Sequence, residues 1–320
     1  MIIGGGESPH VFAMAMRTRF RGIRVREGIL VRGPAGWAEF SPFWDYKPVD
    51  CVPWLRAARE AAYDVWPTPV RDTVPVNCVV PAVGPEEAKR VVAESDGCRT
   101  AKVKVAERGQ TEADDLARVA AVRDALGPDG HVRVDVNGAW DVDTAVRMIG
   151  LLDKEAGGLE YVEQPCATVE ELAQVRRKVD VPIAADESIR RAEDPYRVAR
   201  LEAADIAVLK VQPLGGVWPA LRIAEQIGLP VVVSSALETS VGLAAGVALA
   251  AALPELPYAC GLGTITMLDA DVVTHSLVPR NGVLPVVRPE PDPELLASVA
   301  ADEATTARWV ERLAQVEQAV

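Results

Sequence analysis

Histidine is almost missing from this 320-residue chain. His10 lies in a glycine-rich start, His131 precedes a strand-like run and His275 follows the last one. None closes a strand, which argues against histidine acid–base chemistry and histidine-rich metal sites. Positive charge is also short: 34 Lys and Arg face 46 Asp and Glu, a net charge of −12. An acidic surface repels phosphate backbones, so no nucleic-acid partner is expected. Cysteine is sparse, five residues without CxxC spacing. That pattern excludes a disulfide framework and points to reduced thiols in a cytoplasmic protein. No apolar run is long enough to span a bilayer. The longest, 241–253, stops at Pro254 and reads as a buried helix, so no membrane partner is expected. Residues 1–10 have neither a basic start nor an apolar core and do not read as a signal peptide. Gly215-Gly216 lacks the GK[ST] that completes a P-loop.

What is present is arranged with a period. The N-terminal part carries strand-like runs over 11–18, 23–31 and 37–40, then a helical run over 51–65 ended by Trp66-Pro67-Thr68-Pro69. From residue 74 the pattern becomes regular. Strand-like runs at 74–80, 101–105, 132–136, 159–163, 183–186, 206–211, 231–235 and 259–262 alternate with amphipathic runs such as 85–94, 111–126, 142–154, 169–179 and 217–227. Alternation of this kind predicts an α/β fold, a (β/α)7β TIM-like barrel rather than an open sheet. The expected division is an α+β capping domain at 1–72, the barrel at 73–288 and a tail at 289–320 that returns to pack on the cap. An eighth barrel helix is the other place for the helical run 302–318.

Lysine is scarce, yet Lys102 and Lys104 stand one residue apart in Ala101-Lys102-Val103-Lys104-Val105; the others are Lys47, Lys89, Lys154, Lys178 and Lys210. Strand side chains alternate faces, so the two lysines share one face and the valines the other. In a barrel the lysines point inward, where ammoniums need carboxylate partners. Asp135, Glu163 and Asp186 close the next three strands and Lys210 the fourth, at intervals near the length of a β-α unit. Active sites of such barrels lie at that end. Three carboxylates there offer hard oxygen ligands suited to Mg²⁺, with Mn²⁺ a substitute. Lys210 lies across the barrel from Lys104. Asn137 shares the face of Asp135, and Arg133 lies one step deeper, where a structural counter-ion is the simpler reading. Backbone amides near Ser234, Ser235, Gly261 and Gly263 are candidate holders of a carboxylate. These six residues are the candidate substrate contacts. Glu187 points away from Asp186 or lies in the turn.

These motifs resemble the enolase superfamily, specifically its muconate-lactonizing subgroup. Within it, the runs Thr100-Ala101-Lys102-Val103-Lys104-Val105-Ala106-Glu107, Arg133-Val134-Asp135-Val136-Asn137-Gly138-Ala139-Trp140, Tyr161-Val162-Glu163-Gln164-Pro165-Cys166, Ala184-Ala185-Asp186-Glu187-Ser188 and Val208-Leu209-Lys210-Val211-Gln212-Pro213 are most similar to the actinobacterial-type o-succinylbenzoate synthase family. The resemblance implies metal-dependent syn dehydration of 2-succinyl-6-hydroxy-2,4-cyclohexadiene-1-carboxylate in menaquinone biosynthesis. It implies Lys104 as the base, and Lys102 with Mg²⁺ holding the carboxylate as its enediolate forms. Asp135, Glu163 and Asp186 are then the metal ligands, and Lys210 a cationic contact on the other ring face. The partner is thus a small-molecule carboxylate; monomer and homo-oligomer both stay open.

The alternative is an N-succinylamino acid racemase using Lys104 and Lys210 as a two-base pair, or an enzyme with both activities. Dipeptide epimerases carry an acidic DxD at the eighth strand, which Cys260-Gly261-Leu262-Gly263 lacks; Asp269-Ala270-Asp271 falls beyond it. Muconate cycloisomerisation has no specific signal here. A non-catalytic barrel is the rival from another class, and the intact ligand set speaks against it. The 18–23 loop is short where relatives carry a longer capping loop.

Overall fold

The computed structural model describes residues 9–20, 22–191 and 194–320. The glycine-rich residues 1–8, on which the reading of the N-terminus rested, lie outside them, as does Arg21 of the short capping loop. The chain opens with an antiparallel sheet of β1 (His10–Phe20), β2 (Ile23–Gly33) and β3 (Gly36–Phe40), followed by helix α1 (Val52–Tyr63). Then come β4 (Thr73–Pro75), β5 (Cys78–Val80), α2 (Pro85–Ala93), β6 (Thr100–Lys104), α3 (Glu112–Leu126), β7 (His131–Asp135), α4 (Val142–Ala156), β8 (Leu159–Glu163), α5 (Val169–Arg176) and β9 (Ile183–Ala185). Two helical turns, α6 (Glu187–Arg190) and α7 (Arg197–Arg200), lead to β10 (Ile206–Leu209), α8 (Val217–Ile227), β11 (Val231–Val233) and α9 (Ser240–Ala252). The chain closes with β12 (Val283–Pro285), α10 (Pro293–Ser298) and α11 (Glu303–Gln318).

Strands β5 to β11 form one parallel sheet in sequence order. The expected eighth strand over 259–262 is not a ladder strand. It is reduced to two parallel bridges, Val76↔Cys260 and Ser234↔Gly261, which join the two edges of the sheet and close the barrel. The expected first strand over 74–80 divides. Thr73–Pro75 pairs antiparallel with β12, and only Cys78–Val80 joins the barrel. Between the two, Val76 donates to Gly282 and Asn77 to Cys260, so the backbone changes partners there. The helical runs start where the sequence supplies caps. Thr111 and Asp114 form a reciprocal capping box at α3, Thr168 and Glu171 another at α5, and Asp141 caps α4.

The cap docks on the barrel through several elements. Helix α11 lies against α1 and β1, with Trp309 buried and edge-on to Phe40 at 6.2 Å. Helix α9 is buried from Ser240 to Ala251 and packs on both β11 and β3. Its alanines and glycines allow that close approach, as the apolar run 241–253 suggests. Helix α8 begins after Gly216 and has no side-chain cap of its own. Glu60, on α1, serves instead: its carboxylate accepts from Val217 N (2.5 Å) and Trp218 N (3.2 Å).

Candidate active site

Register places the charged groups. Lys104 pairs with Asp135 across β6 and β7, and Asp135 with Glu163 across β7 and β8. Asp186 follows Ala185, the last residue of β9, and Lys210 follows Leu209, the last of β10. All five side chains, with Lys102, are buried at one end of the barrel.

The ion pairs there are short and shared. Lys102 Nζ is 3.0 Å from both Glu163 oxygens and 3.2 Å from Asp135 Oδ2. Lys104 Nζ donates to Asp135 Oδ2 at 2.6 Å and to Asn137 Oδ1 at 2.7 Å. Lys210 Nζ donates to Asp186 Oδ2 at 2.5 Å, and Arg190 Nε to Asp186 Oδ1 at 2.8 Å. Burial works against the charge on Lys102, but Glu163 and Asp135 outweigh it and hold the ammonium well above its ordinary range. Lys104 goes the other way. Burial, reinforced by the charge of Lys102, lowers its pKa despite Asp135. Burial also opposes the charges on Asp135 and Asp186, yet Lys104 and Lys102 keep the first strongly acidic, and Arg190 and Lys210 the second. Glu163 is pushed up to about 7 by burial and by the neighbouring Asp135 and Asp186 carboxylates. A cation between these carboxylates therefore stabilises the set.

Among the described residues, no three His, Cys, Asp or Glu side chains converge closely enough to enclose a metal ion. Ammonium groups take the positions between the carboxylates instead. The donor set nevertheless fits a hard divalent cation. Lys102 already bridges two of its members as a monovalent cation, and every donor is a carboxylate oxygen.

The other sequence candidates separate. Asn137 lines the pocket, with φ +51° and its backbone N–H on Asp135 Oδ1 at 3.1 Å. Ser234, Ser235 and Gly261 line it too. The Ser234 amide donates to Leu209 O between β10 and β11, while the Ser235 amide donates to Gly261 O and the Gly261 amide to Val233 O, the two bonds that close the barrel. The Ser235 hydroxyl lies 2.7 Å from Thr264 Oγ1. Gly263 faces a separate cleft. Arg133 lies below the pocket in the barrel interior, donating to Glu160, to Ala259 O at 2.7 Å and to Asn77 Oδ1 at 3.2 Å. It is a structural counter-ion. Glu187 pairs with Arg190 and accepts from Asn137 Nδ2 at 3.3 Å.

Several groups at the site escaped the sequence reading. The cap supplies Phe20, whose ring centroid is 5.2 Å from Lys104 Nζ, and Phe43. The short loop thus still brings an aromatic wall to the lysine. Gln164, with φ +42°, accepts from Asp186 N at 3.0 Å and Ser188 N at 3.2 Å and fixes the end of β9. Arg190 links Asp186 to the Tyr46 hydroxyl of the cap. Its position four residues after Asp186, on an incipient helix, was the available signal. The pocket encloses about 30 Å³, room for about two waters.

The described residues include no helix long and apolar enough to cross a membrane. Residues 85–292 match the family model of the enolase C-terminal domain-like proteins, and residues 11–62 that of the enolase N-terminal domain-like proteins. The o-succinylbenzoate synthase of Thermobifida fusca is 71% identical over 95% of this chain and 94% of its own length. The chain belongs to the o-succinylbenzoate synthase family of the enolase superfamily. The family's member from Mycolicibacterium smegmatis is 57% identical over 96% of this chain and 94% of its own. Among solved structures, muconate lactonizing enzyme from Pseudomonas putida shares the fold with a TM-score of 0.75 at 21% identity, over 92% of this chain and 98% of that one. The N-succinyl Arg/Lys racemase from Bacillus cereus does so at 0.75 and 22%, over 92% and 97%.

Proposed function

We propose that this enzyme is an o-succinylbenzoate synthase, a hydro-lyase of menaquinone biosynthesis. It dehydrates 2-succinyl-6-hydroxy-2,4-cyclohexadiene-1-carboxylate to o-succinylbenzoate. The observation that carries this reading is the 71% identity over nearly the whole chain to the T. fusca synthase. Lys104 is the base. Burial and the charge of Lys102 lower its pKa toward the range of a base, and its amine takes the proton alpha to the ring carboxylate. The electron pair of the broken C–H bond becomes the new ring double bond as the C–O bond breaks. The proton on Lys104 goes to the departing hydroxyl, and water leaves from the same face. Lys102, held protonated, neutralises charge that collects on the carboxylate as the proton departs. Lys210 keeps a fixed cation on the other side of the site beside Asp186.

Asp135, Glu163 and Asp186 are the residues that would hold Mg²⁺, with Mn²⁺ as a substitute. When bound, the ion supplies further charge neutralisation for the substrate carboxylate. We place the enzyme in the cytoplasm, a reading supported by five free, buried cysteines. We divide it into a cap at 1–72, a barrel at 73–288 and a tail at 289–320. The test of function is a direct assay of purified protein with Mg²⁺ on the cyclohexadiene substrate, following aromatisation in the ultraviolet. Absence of turnover would sink the reading.

A further inference from the structure

Two walls of the substrate pocket come from distant parts of the chain. Phe43 belongs to the cap; Ala236 and Leu237 follow barrel strand β11. One buried side chain touches both. Arg26, on β2, is 2% exposed. Its guanidinium carbon lies 4.5 Å from the Phe43 ring centroid. Its Nε donates to Leu237 O at 2.7 Å, and its Nη2 approaches Ala236 O at 3.4 Å. Leu237 has φ +67°, a left-handed conformation that costs a branched residue free energy and persists only when its surroundings impose it.

Several hydrogen bonds impose it. Besides the Arg26 bond to the Leu237 carbonyl, Glu238 Oε2 accepts from Ala236 N at 2.7 Å. Glu39, on β3, accepts from Thr239 N at 3.0 Å and Thr239 Oγ1 at 2.6 Å. Ser41 joins the two cap residues, its Oγ 2.8 Å from Arg26 Nη2 and 2.5 Å from Glu39 Oε1. The Arg26 NH groups also donate to the cap carbonyls of Ser41 and Glu27. Planar, multi-donor geometry is what lets one guanidinium hold an aromatic face and carbonyls of both walls together; an ammonium lacks it.

We propose that Arg26 is a positioning residue that sets the gap between the cap wall and the barrel wall of the substrate pocket, and so governs substrate binding without touching the reacting atoms. The proposal rests on the dehydratase reading above. Its test therefore begins with wild-type turnover of the cyclohexadiene substrate: if that fails, the functional reading falls first. Given wild-type turnover, Arg26→Met and Arg26→Lys are compared for kcat, KM and the calorimetric Kd of o-succinylbenzoate, with circular dichroism reporting the fold.

For Arg26→Met, KM and the product Kd should rise at least tenfold while kcat changes less than threefold. Arg26→Lys, which keeps the charge but not the fork, should fall between the two. A KM and Kd within twofold of wild type, or a fall in kcat with KM unchanged, overturns the proposal. Should Arg26→Met not fold, Ser41→Ala decides. It loosens the guanidinium while leaving it in place, and should raise KM at least threefold with kcat held. An unchanged KM in Ser41→Ala then overturns it.

Discussion

Lys102 reaches across β7 to Glu163, its ammonium equidistant from the two carboxylate oxygens at 3.0 Å. One buried cation thereby satisfies a carboxylate two strands away and still lies 3.2 Å from the Asp135 carboxylate between them. The site is thus built around shared positive charge.

The metal prediction follows from that arrangement. Chelation should abolish dehydration, and Mg²⁺ or Mn²⁺ should restore it. Asp135→Ala, Glu163→Ala and Asp186→Ala should each reproduce the loss. Undiminished turnover in excess chelator would remove the carboxylates from the proposed role.

Lys104→Ala should keep the fold and lose activity by about 100-fold or more, the scale of a missing general base. Lys102→Ala should be comparably severe. It leaves Glu163 buried with a weaker set of partners and takes away the like charge that helps lower the pKa of Lys104. Steady-state kinetics with circular dichroism controls checks both; near wild-type dehydration by Lys104→Ala would dismiss it as the base.

Lys210 separates dehydration from racemisation. A syn elimination needs one base on one face, so Lys210→Arg should keep part of the dehydratase activity. Racemisation needs proton exchange on the opposite face, which an arginine with a pKa above ~12 does not provide. Wild-type enzyme should dehydrate its substrate far faster than it racemises N-succinylamino acids. Lys210→Arg should lose any racemisation more completely. A higher kcat/KM for the N-succinylamino acid would favour the racemase.

Much of this site was legible because its signals are local. Two-residue alternation put Lys102 and Lys104 on one face, and the recurrence of β-α units put Asp135, Glu163, Asp186 and Lys210 at strand ends. The eighth strand was not legible as it stands. The run 259–262 looks like a strand, yet only Cys260 and Gly261 bridge neighbours. Alternation does not encode how many ladder bonds a closing strand makes, or that closure spends the amides of Ser235 and Gly261. The walls made by Phe20 and Phe43 depend on how the cap docks, a relation between distant segments that no local period records.

Glu238 gives a pH dependence of stability. Burial, with Glu39 nearby, pushes its carboxyl up to about 7 from 4.5. The folded state therefore holds this proton more tightly than the unfolded chain. Its contribution is fully present below about pH 4.5 and is lost as pH rises to about 7, on the order of 3 kcal/mol for a shift of that size. Urea titrations of wild type and Glu238→Gln at pH 5 and pH 8 should show wild type losing stability relative to the variant as pH rises. Parallel curves would mean that Glu238 ionises freely in the fold.

The cap that Glu60 lends to helix α8 joins residues 157 apart in sequence. A contact closing so long a loop carries a large entropic cost before it is formed, and forms late when the chain folds. Its loss should then fall on the reverse reaction. Glu60→Gln should unfold several-fold faster in denaturant while refolding at nearly the wild-type rate. A slowed refolding limb would place the contact in the nucleus. The borrowed carboxylate is in that sense a latch on lifetime: it governs how long the folded enzyme persists, with little influence on how quickly it is reached.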